Sequence, residues 1–393
     1  MQAVGHRFDP VYLHQIHMDN RSPTFCVAPW VHAAVKTDGK LYPCCQSHMK
    51  SRYLFTDIDQ WWHSAELDQL RQDLDRGLQP PACQQCWIAE RAGGRSLRHI
   101  YNSEFEPLLR NDLDRPQTYD LKLGNLCNLR CVMCSGNSSS SIMTEYRTNR
   151  DRFDQLAQYQ RPNIMDYSWP GSREFLQFIP ALWSAKFIKF TGGEPFMNPY
   201  IQDVLDSIPD PAQVTLNLST NATVVNDSLL QSLSRFRAVW LSFSVDALGD
   251  RFEYVRHGAG WQQVQANMQR FRTLDNAYFS LATTVQALTA LSLGPLLEYA
   301  RKHKLTVTPI FLSNPGYMAV HSLPTAARDR ALHSLEQQDP DRNDQARSAM
   351  VKFLQDTTYD PDLNRQLTQY LDALDQIRHT DHRVVFPELI DRG

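Results

Sequence analysis

The sequence predicts an α/β protein organised on a parallel sheet, wound as a full or partial barrel. A small cysteine-bearing module precedes the barrel and a helical tail follows it. Three observations lead there. Strand-like runs alternate with helical stretches between Thr118 and Leu312, the pattern of parallel strands joined by crossover helices. Two of those runs end directly in loops with unusual chemistry, Cys127 to Cys134 and Gly192 to Pro195. All eight cysteines lie at or before Cys134, in two separate groups.

Composition sets the outer limits. A chain of 393 residues suggests two or three domains. Apolar residues make up 42% and charged residues 21%, an ordinary soluble balance. No apolar run approaches the roughly 18 residues that a membrane helix needs. Lys+Arg 40 against Asp+Glu 43 gives a charge of -3, so there is no global basic field for nucleic acid, although a local patch is open. The first twenty residues carry no continuous apolar segment of the secretory kind, and the cytoplasm is the expected compartment.

The elements follow in order. Phe25-Cys26-Val27-Ala28-Pro29-Trp30 opens a compact unit. Thr37-Asp38-Gly39-Lys40 lies between short apolar runs, a hairpin signal that would bring Cys26 towards Cys44. Leu67, Leu70 and Leu74 mark one face of a helix, with Ser64 as its N-cap and Gly77 as its stop. Pro80-Pro81 breaks the chain ahead of Cys83-x2-Cys86. Residues 91–115 read as a linker, with Arg91, Arg95 and Arg98 around Gly93-Gly94. Such a basic stretch meets an acidic substrate, stays solvated, or packs between domains.

Tyr119, Leu121 and Leu123 alternate with polar residues, as in a strand. Ser172 to Ile179 reads as a short helix capped by Ser172 and stopped by Pro180. The strand Ala185–Thr191 runs straight into Gly192-Gly193-Glu194-Pro195. Paired glycines let backbone approach a ligand closely, and Glu194 offers a carboxylate to an ammonium group. Further strands are expected at 214–219, 239–245, 278–284 and 306–312, with helices such as 291–303 between them. From about Pro324 the chain reads as helices. Leu363, Leu367, Leu371, Leu374 and Ile377 form a stripe that suits core, a cap on an open barrel, or a partner surface.

In a reducing compartment, clustered cysteines point to metal or redox sites rather than disulfides. Cys127, Cys131 and Cys134 form C-x3-C-x2-C. Zinc favours four ligands, or three including His with an open position, so an all-thiolate triad fits an iron–sulfur cluster with one iron not held by protein. Upstream, Cys26, Cys44 or Cys45, Cys83 and Cys86 supply four more thiolates.

Taken together, Cys127-x3-Cys131-x2-Cys134 after one strand and Gly192-Gly193-Glu194-Pro195 after another resemble the radical S-adenosylmethionine (SAM) superfamily over roughly residues 116–315. The resemblance implies a partial (β/α)6 barrel and a 4Fe–4S cluster on those three cysteines, with SAM chelating the fourth iron. It implies reductive cleavage of SAM to methionine and a 5′-deoxyadenosyl radical that takes hydrogen from a substrate. By position, Met133 would lie near adenine, and Gly192, Gly193 and Glu194 would face the SAM amino group. Ser219 and Asn221 end one strand, and Ser244 and Asp246 end the next. Arg256 resembles an arginine that meets the SAM carboxylate. A turn residue for Asn221, a helix cap for Asp246 and a surface ion pair for Arg256 are the simpler alternatives.

The upstream cysteines resemble the twitch domain, a shortened relative of the SPASM domain, here over residues 20–90 and ahead of the barrel. The resemblance implies a second, auxiliary 4Fe–4S cluster on Cys26, Cys44, Cys83 and Cys86, with a four-cysteine zinc site as the alternative. Cys45 is then a hydrogen-atom donor, a spare buried thiol, or the ligand in place of Cys44. Residues 316–393 form a C-terminal extension. The expected function is a peptide-modifying radical SAM enzyme, served by a reducing partner such as flavodoxin or ferredoxin. A dehydrogenase or epimerase of a sugar, aminocyclitol or other small metabolite is the runner-up, and a non-catalytic metal scaffold stands apart from both.

Overall fold

The computed structural model describes residues 21–389 apart from 92, 110–112, 164, 166, 340 and 341. The chain forms two compact units, one of residues up to Lys122 with Ser172–Ile188, the other of Leu123–Gly171 with the chain from Lys189 onward. The fold is α/β with a mostly parallel sheet.

In the first unit, strand β1 (His32–Val35) pairs antiparallel with β2 (Leu41–Tyr42) and parallel with β3 (Thr118–Lys122). The Asp38-Gly39 turn closes the expected hairpin. Gly39 sits at φ 77°, where only glycine is unstrained, and its N–H donates to the Lys36 carbonyl at 2.8 Å. The helix Ala65–Asp75 is capped by the Ser64 side chain and buries Leu67, Leu70 and Leu74, as the spacing predicts. The stretch 91–115 holds an ordered helix, Leu97–Phe105, whose Arg98, Tyr101 and Phe105 are buried. Its apolar face meets Phe25, Val27, Ala28, Val31 and Phe187. Strand β3 also differs from the alternating pattern expected of it. Thr118 and Asp120 are as buried as Tyr119 and Leu121, because the strand is covered on both faces.

The second unit carries the parallel run. Strand β4 (Phe187–Thr191) contributes its last three residues, followed by β5 (Thr215–Thr220), β6 (Ala238–Ser244), β7 (Ala277–Val285) and β8 (Thr306–Phe311). Neighbours in space are neighbours in sequence, and β5·β6, β6·β7 and β7·β8 are parallel. Such an order winds in one direction, as in a barrel, rather than reversing as in a doubly wound sheet. Leu216, Leu218, Val239, Leu241 and Phe243 are fully buried, and the intervening Asn217, Ser219, Ser242 and Ser244 are half-buried. One face of the sheet is therefore core, and the other carries these polar side chains beside the exposed Trp240 and Tyr278.

Two further expectations need correction. The helix capped by Ser172 ends at Phe178, but Pro180 does not stop the chain's coiling. It lies in the first turn of a 3-10 segment, Ile179–Ser184, where its missing N–H costs nothing. In the tail, the helix Pro361–Arg378 buries Leu367, Leu371 and Leu374, whereas Leu363 and Ile377, near its ends, are only half-buried.

Candidate functional site

The cysteine loop leaves β3 and is held by backbone from two directions. Gly193 N–H donates to the Gly124 carbonyl at 3.2 Å, and Glu194 N–H to the Leu126 carbonyl at 2.8 Å. A Cβ at position 193 would lie 2.2 Å from the Leu126 oxygen and 2.8 Å from the Asn125 carbonyl carbon. Only glycine fits at position 193, so Gly193 and Glu194 act here as a clamp on the loop that carries Cys127. From the other side comes the serine run Ser138 to Ser141. Ser139 caps the helix Ser140–Thr148 and donates to the Leu129 carbonyl at 2.6 Å. Ser141 and Ser140 donate to the Cys127 carbonyl at 2.8 and 3.2 Å. A serine just ahead of a helix is a readable cap signal. The serines' second duty on the loop depends on the fold.

The three thiols form one electrostatic group. Burial pushes Cys127 up to about 11 and Cys134 up to about 12, and neighbouring thiols push the same way. Cys131 is raised too, by burial first, against the pull of Arg256. Buried thiols raised in this way keep their protons unless a soft cation shares the charge. A donor set of three sulfurs with no oxygen or imidazole among them suits an iron–sulfur group.

Glu194 is held within the protein. Its side chain is 2% exposed, and its oxygens accept from the Phe196 N–H at 3.2 Å, the Thr220 hydroxyl at 2.8 Å and the Asn221 N–H at 2.6 Å. Burial pushes its carboxyl up to about 7, against the pull of those bonds. Asn221 in turn points its amide at Cys127 Sγ, 3.8 Å away, and at Asn128 Oδ1, 3.1 Å away. Arg256 is buried rather than on the surface. Its Nε lies 2.7 Å from Asp246 Oδ2, and its Nη1 3.9 Å from Cys131 Sγ. Asp246 is fully buried and accepts from the Thr284 N–H at 2.7 Å, so it ties strands rather than capping a helix. Ser219 and Ser244 are half-buried at the ends of β5 and β6, and Met133 is half-buried on the loop.

The tail supplies residues that no motif announced. Tyr370 donates from its hydroxyl to the Val132 carbonyl at 3.0 Å, between Cys131 and Cys134. Arg378 makes a two-pronged bond to Glu145, at 2.9 and 2.7 Å, and Arg130 of the loop joins the same carboxylate at 3.3 Å. Nothing in the spacing of a helix stripe says which turn of the chain it will meet.

The upstream cysteines form a second site within the first unit. Cys26, Cys44, Cys83 and Cys86 line one small cavity with Trp87 and Tyr101. Arg98 and Asn102 grip the segment on either side of Cys26. Arg98 Nη1 donates to the Phe25 carbonyl at 2.8 Å, and Asn102 accepts from the Val27 N–H at 2.7 Å. The Cys44 loop and the Cys83 turn are joined by the His48 N–H, which donates to the Ala82 carbonyl at 2.9 Å. Burial pushes Cys26 up to about 12 and Cys83 up to about 11, and Cys44 well above the ordinary thiol value. Cys45 does not line the cavity; with burial, its thiol is among the causes that hold the Tyr101 hydroxyl well above its ordinary value.

Comparison with known families bears on both sites. The sequence profile of the radical SAM superfamily matches residues 121–284. Residues 121–284 thus carry a radical SAM domain. An iron–sulfur cluster-binding domain of the SPASM type matches residues 26–87, so the SPASM module lies N-terminal to the radical SAM domain. An uncharacterized protein of Methanocaldococcus jannaschii is 24% identical over 132 residues, which span 33% of this chain and 38% of that one. The chain thus covers well under half the length of that curated relative. Among solved structures, native anSMEcpe with bound AdoMet aligns with a TM-score of 0.35 at 15% identity, covering 55% of this chain and 58% of that one. Streptococcus suis SuiB bound to S-adenosylmethionine aligns with a TM-score of 0.35 at 12% identity, covering 89% and 70%. Among the described residues no helix is long and apolar enough to cross a membrane.

Proposed function

We propose that this chain is a radical SAM enzyme that takes a hydrogen atom from a peptide. The observation that carries the reading is the joining of three thiols, Cys127 and Cys131 buried and Cys134 half-buried, with the Gly193-Glu194 clamp in a chain whose residues 121–284 match the superfamily profile. Cys127, Cys131 and Cys134 would hold a 4Fe–4S cluster whose remaining iron binds SAM. When reduced, that cluster supplies the electron for cleaving SAM to methionine and a 5′-deoxyadenosyl radical.

The protein's own contribution is placement. The clamp and the serine run hold the loop, and the half-buried Asn217, Ser219, Ser242 and Ser244 offer hydroxyl and amide groups to a bound substrate. Cys26, Cys44, Cys83 and Cys86 would hold an auxiliary 4Fe–4S cluster with no open iron, suited to passing an electron rather than binding substrate. A peptide is the substrate class that the resemblance to twitch and SPASM domains implies, with a sugar or aminocyclitol as the alternative. The electron source would be a flavodoxin- or ferredoxin-like protein.

The test is anaerobic reconstitution followed by dithionite and SAM. About eight irons per chain are expected from two four-iron clusters. Replacing Cys127, Cys131 and Cys134 by Ala should remove half of them and abolish 5′-deoxyadenosine formation. Zinc in place of iron, or cleavage that survives the triple replacement, would overturn the reading. Deuterium transfer into 5′-deoxyadenosine from labelled peptides, but not from labelled sugars, would support the substrate class, and the reverse would replace it.

A further inference from the structure

We propose that Asn221 and Arg256, backed by Glu194 and Asp246, form a donor shell that sets the reduction potential of the cluster held by Cys127, Cys131 and Cys134. The proposal rests on the reading that these thiols hold such a cluster. It assigns Asn221 and Arg256 to the sulfurs of the protein, with Glu194 and Asp246 behind them.

Each donor is aimed and then held from behind. Asn221 Nδ2 lies 3.8 Å from Cys127 Sγ, beside the Leu129 N–H at 3.5 Å from the same sulfur. The amide cannot turn around. Asn221 Oδ1 already accepts from the Thr223 N–H at 2.9 Å, so the NH2 group must face the cysteine. Glu194 fixes the backbone of the same residue through its 2.6 Å bond to the Asn221 N–H. Arg256 is held twice on Cys131. Its backbone pairs with Cys131 in a short antiparallel ladder, and the neighbouring Val132 N–H donates to the Val255 carbonyl at 2.8 Å. Its side chain reaches the sulfur at 3.9 Å while Asp246 pins Nε at 2.7 Å. Both donors are nearly buried, Asn221 at 6% and Arg256 at 9% exposure, so water screens them little.

The third cysteine is different. Cys134 Sγ faces an acceptor, the Ser135 carbonyl at 3.8 Å. The shell is thus one-sided, with an amide on Cys127 and a cation on Cys131. Reduction adds negative charge to the cluster and its sulfurs. N–H donors and a nearby cation stabilise that added charge and raise the potential. The guanidinium should weigh more than the amide, because it is charged. Glu194 and Asp246 act through their partners and are positioning residues.

The experiment is a redox titration of the reconstituted full-length protein without SAM, followed by electron paramagnetic resonance. The signal read is the one absent from the Cys127, Cys131 and Cys134 triple Ala variant. Asn221→Leu keeps the volume and removes the donor. Arg256→Met is combined with Asp246→Asn so that no buried carboxylate loses its partner. Both variants should keep their iron and move to more negative potential, Arg256→Met/Asp246→Asn further than Asn221→Leu. At the wild-type midpoint the reduced-to-oxidised ratio should fall about tenfold in the Arg256 variant, equivalent to about 59 mV for one electron.

Unchanged potentials with full iron content would overturn the proposal. So would a weakened SAM affinity at unchanged potential, which would make Arg256 a SAM contact. If the Arg256 variant fails to hold iron, the Asn221→Leu midpoint decides alone. A wild-type protein that takes up no iron at the triad would instead remove the underlying reading and the proposal with it.

Discussion

Gly193→Ala should dislodge the cysteine loop without touching a cysteine. The new Cβ would lie 2.2 Å from the Leu126 oxygen, 2.7 Å from the Leu126 carbonyl carbon and 2.8 Å from the Asn125 carbonyl carbon. Comfortable carbon contacts begin at about 3.5 Å, so the loop must retreat by roughly 1 Å. The obstacle is backbone, not the end of a flexible side chain, and cannot swing aside. Retreat also lengthens the bonds to the Gly124 and Leu126 carbonyls. Overpacking of this kind costs about 1–3 kcal/mol, and each kcal/mol lowers Tm by about 2–4 °C in a unit of this size. The control is Gly260→Ala, where a Cβ meets nothing within 4 Å. Iron content after anaerobic reconstitution and the thermal midpoint are the readouts. Gly193→Ala should lose triad iron and melt several degrees lower, and Gly260→Ala should match wild type. Equal iron and equal midpoints in the two variants would refute the clamp.

Two further outcomes follow from the geometry. Cys44→Ser should strip iron from the first unit and Cys45→Ser should not, because only Cys44 lines the cavity with Cys26, Cys83 and Cys86; iron counts in the two variants, each made in the triad triple-Ala background, decide it. Asp375 is buried, which works to raise its carboxyl, but bonds from the His382 ring and N–H, Thr380 and Tyr254 prevail and bring it down to about 2. A carboxyl lowered on folding contributes stability above its unfolded value, near 4, and loses it as pH falls towards 2. Asp375→Asn should therefore be less stable than wild type at pH 6, with the gap closing between about pH 4 and pH 2. A gap that stays constant across that range, measured by thermal melting, would count against the assignment.

Much of this protein could be read from residue order. Alternating strand and helix signals, with β-branched and aromatic runs at regular spacing, determined the parallel architecture and nearly every strand of the second unit. Asp38-Gly39, Ser64 and Ser172 determined a turn and two caps, because those residues satisfy backbone needs within a few positions of themselves. The cysteine spacings marked Cys127, Cys131 and Cys134 as one group for the same reason, whereas Cys26 and Cys44 meet Cys83 and Cys86 only through the fold. Residues that act at long range were harder. Arg98 read as part of a basic linker and lies buried against the Cys26 segment. Ser140 and Ser141 belong to no motif and hold the Cys127 carbonyl. Tyr370 and Arg378 read as parts of a helix and reach Val132 and Glu145, more than two hundred residues away in sequence. Glu194 and Arg256 had recognisable positions, but which atom each would face depended on where Asn221, Asp246 and the thiols came to rest. Residue type limits what bonds a side chain can make. Only the packed chain decides which partner is close enough, and dry enough, to receive them.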